Sequence, residues 1–358
     1  MHVPDGFFNA AVSVSAGVVA AAGVAVCLRG ARRELDDRTA PMAGLVAAFI
    51  FAVQMLNFPV AAGTSGHLLG GALAAILVGP YTAVLCVAVV LLVQGFFFAD
   101  GGLTALGVNI TLMGLVAVLV GWGVFRLITR SVRNRGAVVA AAFVAALVSV
   151  PASALAFTLL FWVGGTAPIE IGTVAAAMGG VHLLIGVGEG LITAVTVSTV
   201  LAVRPDLVYG ARELVAPLVL RGADGDVTVT PQAARSSAAP VAARRPGWFL
   251  PAGIAVAGLL AGVVSFYASS SPDGLESVAE DKGFIGQAAD HALGEQPLAD
   301  YGDVGGIPVG VAGVIGVGVT LAVGGGVFYA VRRRGGGGDG ADGADDLVKD
   351  DSGKKGLD

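Results

Sequence analysis

The chain has 358 residues, of which 55% are hydrophobic and only 13% charged, about half the charge of a soluble globular domain. That excludes a water-soluble fold. The formal net charge of −5 gives no basic surface for a nucleic-acid partner, and its distribution along the chain says more than its total.

The chain opens with Met1-His2-Val3-Pro4-Asp5-Gly6-Phe7, without the Lys or Arg that begins a secretory signal. It reads as a mature, extracytoplasmic terminus. The α-amine of Met1, the backbone amide of His2 and the His2 imidazole are consecutive nitrogens. Bound together, they would close fused chelate rings on one metal ion. A fourth nitrogen would complete a planar set, which suits Ni(II), Cu(II) and some Co(II) better than Zn(II) or Mg(II). A His at position 2 is more often a solvated terminal residue. Here His is scarce, with four in all, at 2, 67, 182 and 291, and His67 is the obvious candidate for the fourth nitrogen.

Apolar runs follow at about 8–28, 41–59, 67–79, 81–98, 103–127, 137–163, 172–203, 248–268 and 306–331. Most are long enough to cross a bilayer, which takes about 20 residues. Gly79-Pro80-Tyr81 breaks the stretch from Leu68 to Phe98 into two spans, the first short. The expectation is an all-α polytopic membrane protein. Gly is abundant, with 55 residues, as close helix packing in lipid requires. Cys27 and Cys86 lie in apolar runs and read as small core residues, with no disulfide and no Cys metal site.

With nine spans and the N-terminus outside, every basic residue except Lys282 falls on the cytoplasmic side. His2, the loop from Asn57 to Gly66, His67, the Asp100-Gly101-Gly102 turn and residues 269–305 then share the outer face. The expected division is a seven-span module over 1–205, a cytosolic linker over 206–246, a two-span module over 247–334 and a disordered cytosolic tail over 335–358.

Several side chains are candidates for chemistry. Non-helical backbone before His67 is tolerated at membrane depth where it lines a cavity, and Asn57, Thr64 and Ser65 there could hold ligands in place; the plainer reading is an ordinary interhelical loop. His182 and Glu189 are seven residues apart and share a helix face. Ionisable groups inside a span suggest function, as a membrane-embedded enzyme or metal sensor, or else a polar pair that fixes packing. A hydrolase lacks a nucleophile beside His182. The 269–305 segment carries Asp273, Glu276, Glu280, Asp281, Asp290, Glu295, Asp300 and Asp303 against Lys282 alone. It could concentrate divalent cations, with His291 as an accessory ligand, or be a solvated acidic loop. No Gly-x-x-x-x-Gly-Lys-Ser/Thr loop occurs, so ATP hydrolysis would belong to another subunit.

The opening heptapeptide, Gly63-Thr64-Ser65-Gly66-His67-Leu68-Leu69-Gly70-Gly71, the Phe98-Ala99-Asp100-Gly101-Gly102 turn and the stretch from His182 to Gly190 together resemble the CbiM/NikM family. These are the substrate-binding (S) components of energy-coupling-factor (ECF) transporters for cobalt and nickel. Ser271-Pro272-Asp273-Gly274-Leu275-Glu276 resembles the PDGLE/CbiN-type accessory module. The resemblance implies a seven-helix S component fused to a two-helix accessory module in the cell membrane. It implies Met1, His2 and His67 as ligands in a square-planar nitrogen set, and Co2+ (for cobalamin biosynthesis) or Ni2+ as cargo. It also implies an ECF T-type transmembrane protein and two ATP-binding-cassette ATPases as partners. Asp100 belongs to the supporting candidates on the same ground. Nothing in the ligand set separates cobalt from nickel.

Overall fold

The structure is a computed structural model, and it describes residues 1–61, 63–132, 134–214, 218–222, 225–229 and 248–335. Most of the expected 206–246 linker and all but the first residue of the 335–358 tail lie outside the described residues. The first group of helices is α1 (Ala10–Gly30), α2 (Thr39–Gln54), α3 (Gly71–Val78), α4 (Pro80–Phe98), α5 (Leu106–Ser131), α6 (Arg135–Gly164) and α7 (Ile171–Val203). The second is α8 (Phe249–Tyr267), the short α9 (Gly274–Asp281) and α10 (Val309–Gly335). Asn9, Asn134 and Glu170 cap α1, α6 and α7 by accepting first-turn amide protons.

Among the described residues, seven helices are long and apolar enough to cross a membrane, all except α2, α3 and α9. The nine expected runs are therefore unequal. The 16 residues of α2 rise about 24 Å and the eight of α3 only about 12 Å, against a hydrocarbon core of about 30 Å. The 67–79 run is not a helical span by itself, because residues 67–70 are not helical and Gly70, at φ 83°, caps the start of α3. It nevertheless runs the depth of the bundle. His67, before α3, meets Met1, which precedes α1. Thr82, just beyond α3, donates its amide proton to Glu34, which follows α1, at 2.7 Å. The break at Gly79, where φ is 97°, then lets Pro80 start α4.

The short α2 is apolar on every side and almost wholly buried, as its surroundings require. It is enclosed by α3 and α4 on one side and by α8 and α10 on the other. Small residues allow this: a Cβ on Gly44 of α2 would lie 3.5 Å from Gly325 of α10, and a Cβ on Gly310 would lie 2.2 Å from the Gly262 carbonyl of α8. At the basic end of the bundle Arg332 of α10 reaches Asp37, beyond α1, at 2.6 Å. Valines and leucines such as Val14, Val18, Leu159 and Leu191 are exposed on the perimeter, where a bilayer would cover them. Cys27 and Cys86 are unpaired and buried.

Two regions expected as loops carry local order. Asn57 to Gly66 contains an antiparallel hairpin of β1 (Phe58–Ala61) and β2 (Thr64–Gly66). Within the expected linker, β3 (Leu218–Gly222) pairs antiparallel with β4 (Gly225–Val229), two segments with the β-branched residues that strands favour. The acidic 269–305 segment folds over the end of the bundle that holds Met1. There Phe284 packs in an aromatic cluster between Phe7 and Phe161, with ring centroids 5.3 and 5.1 Å away.

Candidate metal centre

The first seven residues thread into the bundle and are held at each step. Val3 donates its amide proton to Asn109 Oδ1 at 2.8 Å, and Asn109 Nδ2 donates to the Val3 carbonyl at 3.1 Å. That carbonyl also accepts the Gly102 amide proton at 2.9 Å. Asp5 accepts from the amides of Leu103 and Thr104 at 3.2 and 2.7 Å. The Asp100-Gly101-Gly102 turn can approach this closely only as glycine: Gly101 has φ 80°, and a Cβ on Gly102 would lie 2.2 Å from the Asp5 nitrogen. Two π-helical turns, Gln94–Phe98 and Ile110–Val116, flank the site, a helix irregularity frequent where function demands it.

The Met1 amine, buried with the rest of its residue, contacts His67 Nε2 directly. The His2 ring stacks on that of His67 with centroids 4.9 Å apart and planes 21° off parallel. His2 Nδ1 faces Asp100 Oδ1 at 3.3 Å and Nε2 faces Gln94 Oε1 at 3.2 Å. Tyr301 holds both of these neighbours, donating to Asp100 Oδ2 at 2.5 Å and accepting from Gln94 Nε2 at 3.2 Å.

His67 is placed by α7. Glu189 accepts the amide protons of Leu69 and Gly70 at 2.6 and 3.2 Å, which pins the backbone immediately beyond the imidazole. On the other side, Gln54 Nε2 donates to the Leu69 carbonyl at 3.0 Å. Both Glu189 oxygens are thus engaged by main chain. His182 is fully buried on the same face of α7, with Nδ1 2.9 Å from the Met178 carbonyl one turn earlier. Glu189 thus positions the backbone beside His67, while the buried His182 Nε2 has no hydrogen-bond partner among the described residues.

The PDGLE-like stretch docks on β2 by main-chain pairing. Ser65 donates its amide proton to the Pro272 carbonyl at 2.9 Å and its hydroxyl to the Ser271 carbonyl at 2.7 Å. Thr64 and Ser277 share a hydroxyl bond of 2.7 Å. Asn57 takes part through its carbonyl, which accepts from Ser269 at 2.7 Å. This docking delivers Asp273. Its Oδ1 caps α9 through the Leu275 and Glu276 amides, and Glu276 completes a capping box. Its Oδ2 accepts from the Met1 amine at 2.8 Å and lies 3.5 Å from His67 Nε2.

Electrostatics keeps this cluster poised. Burial pushes the His2 imidazole down to about 4, against the opposing pull of Asp100, which favours the neutral ring at neutral pH. Burial alone would raise the Asp273 carboxyl, but the Met1 ammonium and His67 outweigh it and hold it well below the usual carboxylate range. A cavity of about 570 Å³ opens beside these groups and is lined by His2, His67, Asp100, Asp273, Tyr301 and His291, among others. Among the described residues no group of three or more His, Cys, Asp or Glu side chains is arranged to hold a metal ion. A centre here would need main-chain nitrogen besides side chains, and the Met1 amine lies against the imidazole Nε2 of His67.

Of the acidic-loop candidates, Asp273 is the one that reaches the Met1 amine and His67. Glu276 serves the cap, and Glu280 and Asp281 are exposed on α9. His291 lines the cavity, and its Nδ1 accepts from Leu293 at 3.0 Å. Asp5, Gln54, Gln94, Asn109 and Tyr301 were not singled out by the sequence. The signal was present for three of them: Gln54, Gln94 and Asn109 are lone amides in apolar runs, where an unpartnered amide is costly.

The chain matches the family model described as the cobalt uptake substrate-specific transmembrane region over residues 2–207, and the PDGLE domain model over 247–333. It is 42% identical over 209 residues to a Haloquadratum walsbyi protein named for metal transport, covering 58% of this chain and 94% of that one. Identity is 35% over 234 residues with the fused nickel transport protein NikMN of Rhodobacter capsulatus, covering 61% of this chain and 66% of that protein. A solved transition metal transporter superposes with a TM-score of 0.52 at 27% identity, over 57% of this chain and 93% of its own. Family model, fused relatives and helical architecture agree, and the chain belongs to the CbiM family of cobalt uptake substrate-specific transmembrane regions, with a PDGLE domain fused behind it.

Proposed function

We propose that this chain is the substrate-capture subunit of an ATP-driven importer of the energy-coupling-factor type, taking up Co2+ or Ni2+ across the cell membrane. The observation that carries the reading is the contact between the Met1 amine and His67 Nε2 beneath the stacked His2 ring. The Met1 amine, the His2 nitrogens and His67 Nε2 are the ligands. All are nitrogen donors, and His2 is neutral, as ligation requires. The cargo is a late first-row divalent ion, which such donors favour. The site end faces outward and the arginine-rich end faces the cytoplasm, in keeping with the distribution of positive charge. Energy comes from two ATP-binding-cassette ATPases through a T-type transmembrane partner. The subunit is a carrier component, in line with relatives named as transport proteins, and it performs no catalysis.

The test is metal binding by purified protein whose N-terminus has been verified by mass spectrometry. His67→Ala and His2→Ala are expected to abolish high-affinity Co2+ and Ni2+ binding, and one extra residue ahead of Met1 to weaken it at least a hundredfold. Unchanged binding in the extended protein would refute the role of the amine.

A further inference from the structure

Asp273 reaches the site from the far end of the sequence, and its two oxygens do different work. Oδ1 is committed to the α9 cap, accepting from Leu275 and Glu276 at 2.7 and 2.9 Å. Oδ2 is aimed at the nitrogens, 2.8 Å from the Met1 amine and 3.5 Å from His67 Nε2. At metal–ligand bonds of about 2.0–2.2 Å, an oxygen on the axis of a planar nitrogen set lies about 3 Å from each in-plane nitrogen. The two observed distances bracket that value.

The placement is built. Pairing of Ser65 with Pro272 and Ser271 sets the backbone on one side, and the Thr64–Ser277 bond fixes α9 on the other. Gly274 lets the turn press onto α7, where a Cβ would lie 2.5 Å from Ile185 Cδ1 and 3.1 Å from His182 Cε1. The Asp273 side chain is 16% exposed and lines the cavity beside His2 and His67.

We propose that Asp273 is a fifth ligand, its Oδ2 bound to the transported cation on the axis of the nitrogen plane. The fused PDGLE module thus contributes a donor to the site as well as covering it. This rests on the nitrogen site proposed above and deepens it: the cargo is held as a five-coordinate ion with one anionic oxygen.

The test uses the full chain with its native terminus, loaded anaerobically with one equivalent of Co2+, whose electron paramagnetic resonance reports axial ligation. Asp273→Asn preserves the side-chain size and the helix cap, since Asn and Asp cap about equally, and removes the anionic oxygen. The wild type is expected to give a five-coordinate signature, and Asp273→Asn an altered g-anisotropy with Co2+ affinity reduced roughly tenfold or more. Cobalt-edge X-ray absorption of the wild type asks the same question without a variant, and an oxygen scatterer in a five-coordinate shell is the expected result. Tight Co2+ binding with superposable spectra in both proteins, or a four-coordinate planar shell in the wild type, would overturn the Asp273 ligand alone. Failure of the wild type to bind Co2+ or Ni2+ would overturn the nitrogen site together with it.

Discussion

Asn109 grips both main-chain groups of Val3, accepting from its nitrogen at 2.8 Å and donating to its carbonyl at 3.1 Å. The amide of one side chain does what a neighbouring strand would do, and does it inside a transmembrane helix. It fixes the two residues before it, Met1 and His2, relative to α5.

Replacing Asn109 by Leu keeps the volume and suits lipid, but leaves the Val3 N–H buried without its partner. Such a loss costs about 1–3 kcal/mol. Metal affinity is expected to fall roughly tenfold, at about 1.4 kcal/mol per decade, with helix content unchanged. Calorimetric titration alongside circular dichroism checks both halves.

Glu189 holds His67 indirectly, through the Leu69 and Gly70 amides. In Glu189→Gln one of these donors would face an NH2 group. The expected outcome is a loss of about 1–3 kcal/mol, the cost of leaving a buried donor without its acceptor, seen as a lower melting temperature and weaker Co2+ binding. A variant that melts and binds as the wild type does would show that His67 is positioned by other contacts.

Acid should loosen the metal-free site in a defined order. The folded-state pKa of His2, about 4, lies below its ordinary 6.5, so the folded chain binds fewer protons than the unfolded one in that interval. Its contribution to stability is complete above pH 6.5 and is lost as pH falls through 6.5 toward 4. Asp273 is depressed below 3.8, so its contribution is complete above that value and fades only in stronger acid. Melting temperature of the metal-free protein is expected to be level above pH 7 and to fall between 6.5 and 4. In His2→Asn that descent should be reduced.

The seat of Gly274 on α7 leaves no space for a side chain. Gly274→Val is expected to lift the 269–305 segment off the bundle end, with limited proteolysis cutting between 269 and 305 at least several-fold faster than in the wild type. Equal cleavage rates would mean that the strand-like pairing with β2 suffices to hold it.

Much of the architecture could be read from the residues. Long apolar runs separated by arginine clusters announce a helical membrane protein, and the break at Gly79-Pro80 lies where α3 gives way to α4. The length of α3 could not be read: the apolar character of Leu68 and Leu69 continues without interruption into the helix, while a left-handed Gly70 and the Glu189 carboxylate hold these residues out of it. Met1, His2 and His67 could be named as candidates because their chemistry is local or rare, and the structure brings the three together. Asp273 was one acid among eight in its segment, and only the register of Ser65 against Pro272 singles it out. The roles of Asn109, Gln94 and Tyr301 depend on π-turns and a loop fold that no periodicity announces.

The opening residues are clamped by partners that the ribosome supplies much later: the Ala289 amide proton goes to the Asp5 carbonyl at 2.8 Å, and Tyr301 secures Asp100 beside His2. A nascent chain therefore makes its first turn long before it can finish the cradle around it. Until α8 and α10 are in place, the newborn protein is a bundle with an unfinished mouth.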